Sequence, residues 1–218
     1  MRGKSGVKGK ISEIFSSVQG EGPFSGTPCC FIRFFGCNKR CSYCDTAYAV
    51  KGHFTEMTAR QVKGMIKKNI PVVITGGEPA LQVEFLSVLL PGIAGNGVFL
   101  ETNASVSVKK ILRFLNFISV HIEPPLSSGE KDFIKEISGK PFAVKIIITS
   151  GMQIGHLRKL AGFLRKFKNA QLILQPEARR GAVCRKSAKR SADFALKLYP
   201  CFPFIRVLPQ MHRIMGLK

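Results

Sequence analysis

Cys37, Cys41 and Cys44 stand in the run C-N-K-R-C-S-Y-C, and this C-x3-C-x2-C spacing supplies three thiolates to one metal cluster and no fourth. An iron–sulfur cube held by three cysteines leaves one iron open for chemistry. A zinc site with sulfur ligands wants four donors, and Cys29, Cys30, Cys184 and Cys201 form no second C-x2-C to complete one. Disulfides fit poorly as well, because the basic, glycine-rich start carries no apolar signal segment and the expected compartment is reducing. Further along comes T-G-G-E-P at Thr75 to Pro79, a glycine turn with a carboxylate following an apolar stretch. Taken alone such a turn is common; placed after the cysteine run it adds a second group of polar contacts.

These groups need a scaffold, and the apolar pattern supplies one. Stretches 10–17 and 27–35 predict two strands, joined by V-Q-G-E-G-P-F-S-G-T-P, which has too many glycines and prolines for a regular element. That loop can point Gln19 and Glu21 into a site, although an exposed polar turn reads equally well from these residues alone. Helical spacing opened by a Thr cap covers 58–69, a compact apolar strand covers 71–75, and a helix covers 83–90. The alternation then continues, with strands at 97–101, 117–122, 143–149, 171–175 and 204–208. Helices are predicted at 108–114, 131–138, 154–167 and 187–198. Strands alternating with helices predict a parallel sheet, since parallel neighbours need crossover connections. Polar residues gather just after the strands, where the sites of α/β barrels lie. The chain is short for eight βα units, so the predicted fold is α/β, an incomplete βα barrel opening near the cysteine loop, with residues 1–9 a basic tail and 10–218 one domain.

Composition narrows the function. At 45% hydrophobic residues, the 218-residue chain is a packed globular protein, and no apolar run reaches membrane-spanning length. The formal charge of +21, from 34 Lys and Arg against 13 Asp and Glu, attracts polyanions whatever the fold. Its basic stretches alternate with Leu, Phe and Ala as solvated helix faces do, and no zinc-finger spacing or interleaved aromatic and basic stripe marks a nucleic-acid site.

The three cysteines, Tyr43 before the last of them, and T-G-G-E-P together resemble the radical S-adenosylmethionine (SAM) superfamily. That resemblance implies a [4Fe-4S] cluster whose open iron chelates the methionine moiety of S-adenosyl-L-methionine, and reductive cleavage to a 5′-deoxyadenosyl radical. The opening E-I-F-S-S-V-Q-G-E-G-P-F-S-G-T-P-C-C-F-I-R-F-F-G-C-N, continued by C-S-Y-C-D-T, more narrowly resembles the 7-carboxy-7-deazaguanine synthase family. The likeness returns at T-G-G-E-P and E-T-N (Glu101 to Asn103), and more faintly at S-S-G, L-Q-P-E and the terminal Q-M-H.

The family resemblance implies conversion of 6-carboxy-5,6,7,8-tetrahydropterin to 7-carboxy-7-deazaguanine with loss of ammonia, in the queuosine and archaeosine pathways. On the substrate side it implies Gln19, Glu21 and Gly22 reading the pterin edge, Arg33 clamping the carboxylate in a planar bidentate pairing, and Glu101 and His212 joining the pocket. On the cofactor side it implies Tyr43, Thr75, Gly76, Gly77, Glu78, Asn103, Ser127, Lys145 and Gln175. Cys37, Cys41 and Cys44 would hold the cluster and Thr46 a magnesium ion. The chain departs from the family pattern where H-I-E-P-P-L-S-S-G lacks a lysine, leaving His121, Glu123 and Ser128 without assigned contacts. It departs again where Ala104 stands in place of the usual Gly. Gln210 belongs with His212 in a terminus that folds over the substrate. Further implications are a homodimer, a flavodoxin or ferredoxin as electron donor, and a cytoplasmic enzyme. Two other classes share some of these features: a glycyl-radical activating enzyme, which leaves the Q-G-E-G loop unexplained, and a basic RNA-binding or RNA-modifying protein.

Overall fold

The computed structural model describes residues 6–41, 44–149, 151–179 and 182–217. They fall into two compact units, Met1–Ser17 with Pro28–Ile118, and Val18–Thr27 with Ser119–Lys218.

In the first unit the chain forms β1 (Lys8–Val18), β2 (Pro28–Phe34), the short helix α1 (Tyr48–Lys51), β3 (Thr55–Thr58), α2 (Ala59–Met65), β4 (Val72–Gly76), α3 (Val83–Leu89) and β5 (Val98–Thr102). The strand order is β5-β4-β2-β1-β3. The central strands run parallel, with Ile32 opposite Ile74 and Ile74 opposite Leu100. A strand covered on both faces reads as continuously apolar, and Val72, Val73 and Ile74 are all fully buried. Edge strand β3, which sequence reading missed, pairs antiparallel with β1 and takes Lys8 and Gly9 into its register.

Thr58 caps α2 in a capping box with Gln61, so the helix starts where the sequence places it. It ends at Met65, short of the predicted 69, and Asn69 turns the chain with φ +63°. The helix predicted at 108–114 does not form. Only a 3-10 turn at Leu112–Phe114 appears there, because the backbone closes i→i+3 bonds, Ile111 N–H to Val108 O at 2.9 Å and Phe114 N–H to Ile111 O at 3.0 Å, in place of an i→i+4 ladder.

In the second unit β6 (Phe117–His121), at whose second residue the boundary falls, is followed by α4 (Ser128–Ile137), β7 (Phe142–Ile148), α5 (Ile154–Leu164), β8 (Ala170–Pro176), the two-residue strands β9 (Ala178–Arg179) and β10 (Ala182–Val183), α6 (Arg185–Leu198), β11 (Ile205–Val207) and α7 (Met211–Ile214). Strand β7 pairs parallel with β8, and β8 with β11. The small β9–β10 pair was not predicted. Helix α6 buries Ser187, Ser191, Phe194 and Leu198, one stripe at helical spacing, while most of its Lys and Arg residues face solvent. That basic run is therefore a solvated helix face. No helix among the described residues is long and apolar enough to cross a membrane.

Candidate active site

In the first unit the cysteine loop follows β2, and backbone geometry holds it. The glycine turn after β4 lies directly against it: Gly77 N–H donates to Phe34 O at 3.1 Å and Glu78 N–H to Gly36 O at 2.8 Å. A β-carbon on Gly77 would sit 2.2 Å from Gly36 O and 2.9 Å from Cys37 Cβ. Gly76 has φ +137°, and a β-carbon there would meet Phe34 O at 2.2 Å. Glycine is required at both because two backbones approach without room for a side chain.

None of the seven cysteines, all among the described residues, is in a disulfide. Cys37 Sγ accepts from Lys39 N–H at 3.4 Å and from Asn103 Nδ2 at 3.8 Å, and Cys44 Sγ lies 3.8 Å from Thr46 Oγ1. Donors aimed at cysteine sulfur are the outer contacts that tune an iron–sulfur cluster, so this loop fits three-thiolate ligation of one. Tyr43 lies outside the described residues.

Glu78 is fully buried and braces the loop. Its carboxylate accepts from Ala80 N–H and Thr102 Oγ1, each at 2.9 Å, and from Asn103 N–H at 2.6 Å. Burial pushes its pKa above the ordinary 4.5 even though these donors, and Lys39 at longer range, pull it back. Asn103 in turn reaches Asn38 Oδ1 at 3.1 Å, so the end of β5 is tied to the cysteine loop by side chain as well as backbone. Thr75 Oγ1 donates to Glu101 Oε2 at 2.8 Å, joining the ends of β4 and β5. Ala104 adopts φ +61°, a left-handed conformation that glycine takes more readily.

Arg33, on β2, donates from Nε to Glu13 Oε1 at 2.8 Å, and Tyr48 OH donates to the same oxygen at 2.7 Å. Its guanidinium carbon lies 5.5 Å from the Phe15 ring centroid and 5.7 Å from that of Tyr48. Sequence reasoning named Arg33 and passed over Glu13, Phe15 and Tyr48. The signal was there: Glu13 and Phe15 share one face of β1, and a carboxylate on a half-buried strand calls for a partner on its neighbour.

In the second unit the Q-G-E-G loop is held by side chains. Gln19 is buried, and its Oε1 accepts from Glu21 N–H at 3.1 Å; Gly22 turns with φ +68°. The terminus docks on this loop, with Met211 N–H donating to Gly20 O at 2.8 Å. A β-carbon on Gly20 would lie 2.0 Å from His212 Nδ1. Glu21 Oε1 accepts from Gln210 Nε2 at 2.5 Å, and Oε2 accepts from Lys145 Nζ. Burial alone would raise the pKa of Glu21, but Lys145, Gln210 and the nearby His212 outweigh it and hold the carboxyl at about 2. Lys145, expected on the cofactor side, donates to the Q-G-E-G loop.

Gln175, at the end of β8, is 2% exposed, and its Oε1 has no hydrogen-bond partner among the described residues. A buried acceptor in that state fits a missing donor such as a bound cofactor. Ser127 is instead the N-cap of α4, where its Oγ accepts from Glu130 N–H at 3.2 Å and the Glu130 carboxylate bonds back. His121 is half-buried at the end of β6, and Glu123 and Ser128 are exposed.

A sequence profile of the Radical SAM superfamily matches residues 31–148. A 7-carboxy-7-deazaguanine synthase of Methanospirillum hungatei is 41% identical over 214 residues, covering 95% of this chain and 86% of that one. The synthase of the same name from Thermoplasma acidophilum is 31% identical over 94% of this chain and 95% of its own length. Among solved structures, QueE from Escherichia coli superposes with a TM-score of 0.71 at 20% identity, covering 94% of this chain and 95% of that one, so the incomplete α/β barrel type is shared. With its cysteine loop, glycine turn and Q-G-E-G loop in place, the chain belongs to the radical SAM superfamily and, within it, to the 7-carboxy-7-deazaguanine synthases.

Proposed function

We propose that this chain, with residues 10–218 acting as one radical SAM domain, converts 6-carboxy-5,6,7,8-tetrahydropterin to 7-carboxy-7-deazaguanine. When bound, the iron–sulfur cluster and S-adenosyl-L-methionine supply the radical chemistry. The chain's own residues bind, orient and exclude water. Cys37, Cys41 and Cys44 hold the cluster; Thr75, Gly76, Gly77, Asn103 and Gln175 line the cofactor side. Thr46 offers a hydroxyl to magnesium, an oxygen-seeking ion that keeps several of its waters.

The observation that carries the reading is Glu21: a carboxylate with a side chain only 12% exposed, held ionised, in the Q-G-E-G loop. A carboxylate has about four lone-pair sites, and Lys145 and Gln210 take two. The remaining capacity suits the N–H and exocyclic amine of a guanine-like edge, with Gln19 and Gly22 fixing the loop and His212 bordering it; Glu101 is a further proposed substrate contact. Arg33 meets the substrate carboxylate. The product's path into a deazapurine nucleoside, a cytoplasmic setting, a homodimer and a flavodoxin or ferredoxin donor complete the reading.

The test is an anaerobic turnover with reconstituted protein, chemical reductant, S-adenosyl-L-methionine, magnesium and free 6-carboxytetrahydropterin, with no macromolecule added. Formation of 7-carboxy-7-deazaguanine is the expected result. Activity only on a partner protein's glycine or only on RNA would replace the assignment with one of its rivals.

A further inference from the structure

Arg33 does not stand alone on β2. Glu13 Oε1 accepts both Arg33 Nε and Tyr48 OH, and the Arg33 and Glu13 side chains are only 12% and 17% exposed. The guanidinium also lies within cation–π reach of Phe15 and Tyr48, and Phe15 stacks on Phe31 at 5.0 Å between centroids. A guanidinium offers a carboxylate two bidentate edges, one through Nε and one through the paired terminal nitrogens. Committing Nε to Glu13 removes the first and fixes the plane of the second.

We propose that Glu13 is a positioning residue for substrate recognition: with Tyr48 and Phe15 it fixes the Arg33 fork so that a carboxylate is met end-on by its terminal nitrogens. The Arg33–Glu13 pair is neutral overall, so a random anion gains little from it. A planar carboxylate presented at the correct angle gains two charge-assisted bonds. Tyr48, half exposed, adds the hydrogen bond that keeps the Glu13 oxygen from turning away. The inference rests on Arg33 as the substrate's carboxylate clamp and names what aims it.

The experiment compares two probes on the reconstituted holoenzyme: 6-carboxypterin, which has the carboxylate, and pterin, which lacks it. Wild-type protein should bind the first more tightly. Glu13→Gln should reduce that preference about tenfold, about the effect of a misaimed charge-assisted pair, while pterin binding and cluster content stay as in wild type. In turnover it should raise KM for 6-carboxytetrahydropterin with kcat within about twofold, the signature of lost substrate binding. Tyr48→Phe, which deletes a single hydroxyl, should shift the preference in the same direction by a smaller factor. Glu13→Asp should restore part of it. Should Glu13→Gln keep the full preference, or weaken both probes equally, Glu13 is only a structural residue and the inference fails. Arg33→Lys separates the two claims: a preference that survives it removes the clamp itself, whereas its loss in Arg33→Lys but not in Glu13→Gln removes only the role of Glu13.

Discussion

Two glutamates of low exposure in this chain have been moved in opposite directions. Glu78, fully buried, takes three hydrogen bonds, all from neutral groups, and burial still wins, so its pKa is raised. Glu21 keeps a side chain 12% exposed and also bears the cost of desolvation, yet a single ammonium, with help from Gln210 and His212, holds it at about 2. Neutral donors fix where a carboxylate points; a cation fixes that it is charged. The two regions follow the same division. The cysteine loop and glycine turn of the first unit are set by backbone approach, whereas the Q-G-E-G loop of the second is set by side-chain charge.

The largest expected effect comes from breaking the charged member. Glu21→Gln replaces the carboxylate that the Lys145 ammonium, 14% exposed, donates to by a neutral amide. The expected loss of stability is about 1–3 kcal/mol, the range for a hydrogen bond to a charged group that loses its charge. Turnover should fall at least about tenfold in kcat/KM while the cluster spectrum is retained. Lys145→Met in the Glu21→Gln background should recover part of the stability, since the ammonium whose charge is no longer matched by Glu21 is then gone. Denaturant midpoints of the two single variants and the double variant give the coupling directly.

The pH dependence sharpens the contrast because the signs are opposite. Below the ordinary value of 4.5 the unfolded chain protonates Glu21 while the folded chain does not. Its contribution is therefore complete above about pH 4.5 and is lost as the pH falls toward about 2. Glu78 works the other way: the folded chain keeps its proton after the unfolded chain has released it, so stability declines as pH rises from 4.5 through the raised value. Thermal midpoints across pH 3 to 7 should lose their acid-side slope in Glu21→Gln and their alkaline-side slope in Glu78→Gln. Identical profiles for the two variants would end the comparison.

The same division explains what was legible in the sequence. Apart from β3, β9 and β10, the strands and their order of appearance were readable because apolar runs and glycine turns are local. So were the cysteine trio and the Q-G-E-G loop, since each is contiguous. The partners were not. Lys145 lies 124 residues from Glu21, and Gln210 lies 189 residues from it. Nothing in the local pattern of V-K-I-I-I-T says which carboxylate its lysine will meet. Arg33 was legible and Glu13 was not, although only 20 residues separate them, because strand neighbours are chosen by topology. Ser127 shows the converse: the family likeness put it on the cofactor side, while S-S-G-E carries the local signal of the capping box that the structure forms there. The segment 108–114 failed because apolar spacing does not tell an i→i+4 ladder from the i→i+3 turns that the backbone closes there.

On the backbone-held side, Gly77→Ala places a methyl 2.2 Å from Gly36 O and 2.9 Å from Cys37 Cβ. Neither contact is a flexible side-chain end, so the cysteine loop must move. The expected cost is about 1–3 kcal/mol, with iron incorporation falling well below that of wild type after anaerobic reconstitution. Full iron loading in Gly77→Ala would show that the loop is not fixed by this approach.

Ala104 offers the smallest and most exposing test, because there the backbone argument predicts a gain. At φ +61° an alanine bears a β-carbon strain of roughly 1–2 kcal/mol that a glycine avoids. Glycine in turn carries about 0.5–1 kcal/mol of extra entropy in the unfolded chain. The two terms nearly offset, leaving Ala104→Gly more stable by up to about 1 kcal/mol. The residue is 5% exposed, so the lost methyl also removes some packing, which lowers the expected gain and never the sign of the strain term. Activity should not fall, since the hydrogen bond Ala104 makes to the end of β5 comes from its backbone N–H, donated to Thr102 Oγ1 at 3.3 Å, which glycine keeps. A denaturant midpoint clearly below wild type would mean that packing outweighs strain at this turn, and that the first unit depends on its side chains more than the comparison with Glu21 allows.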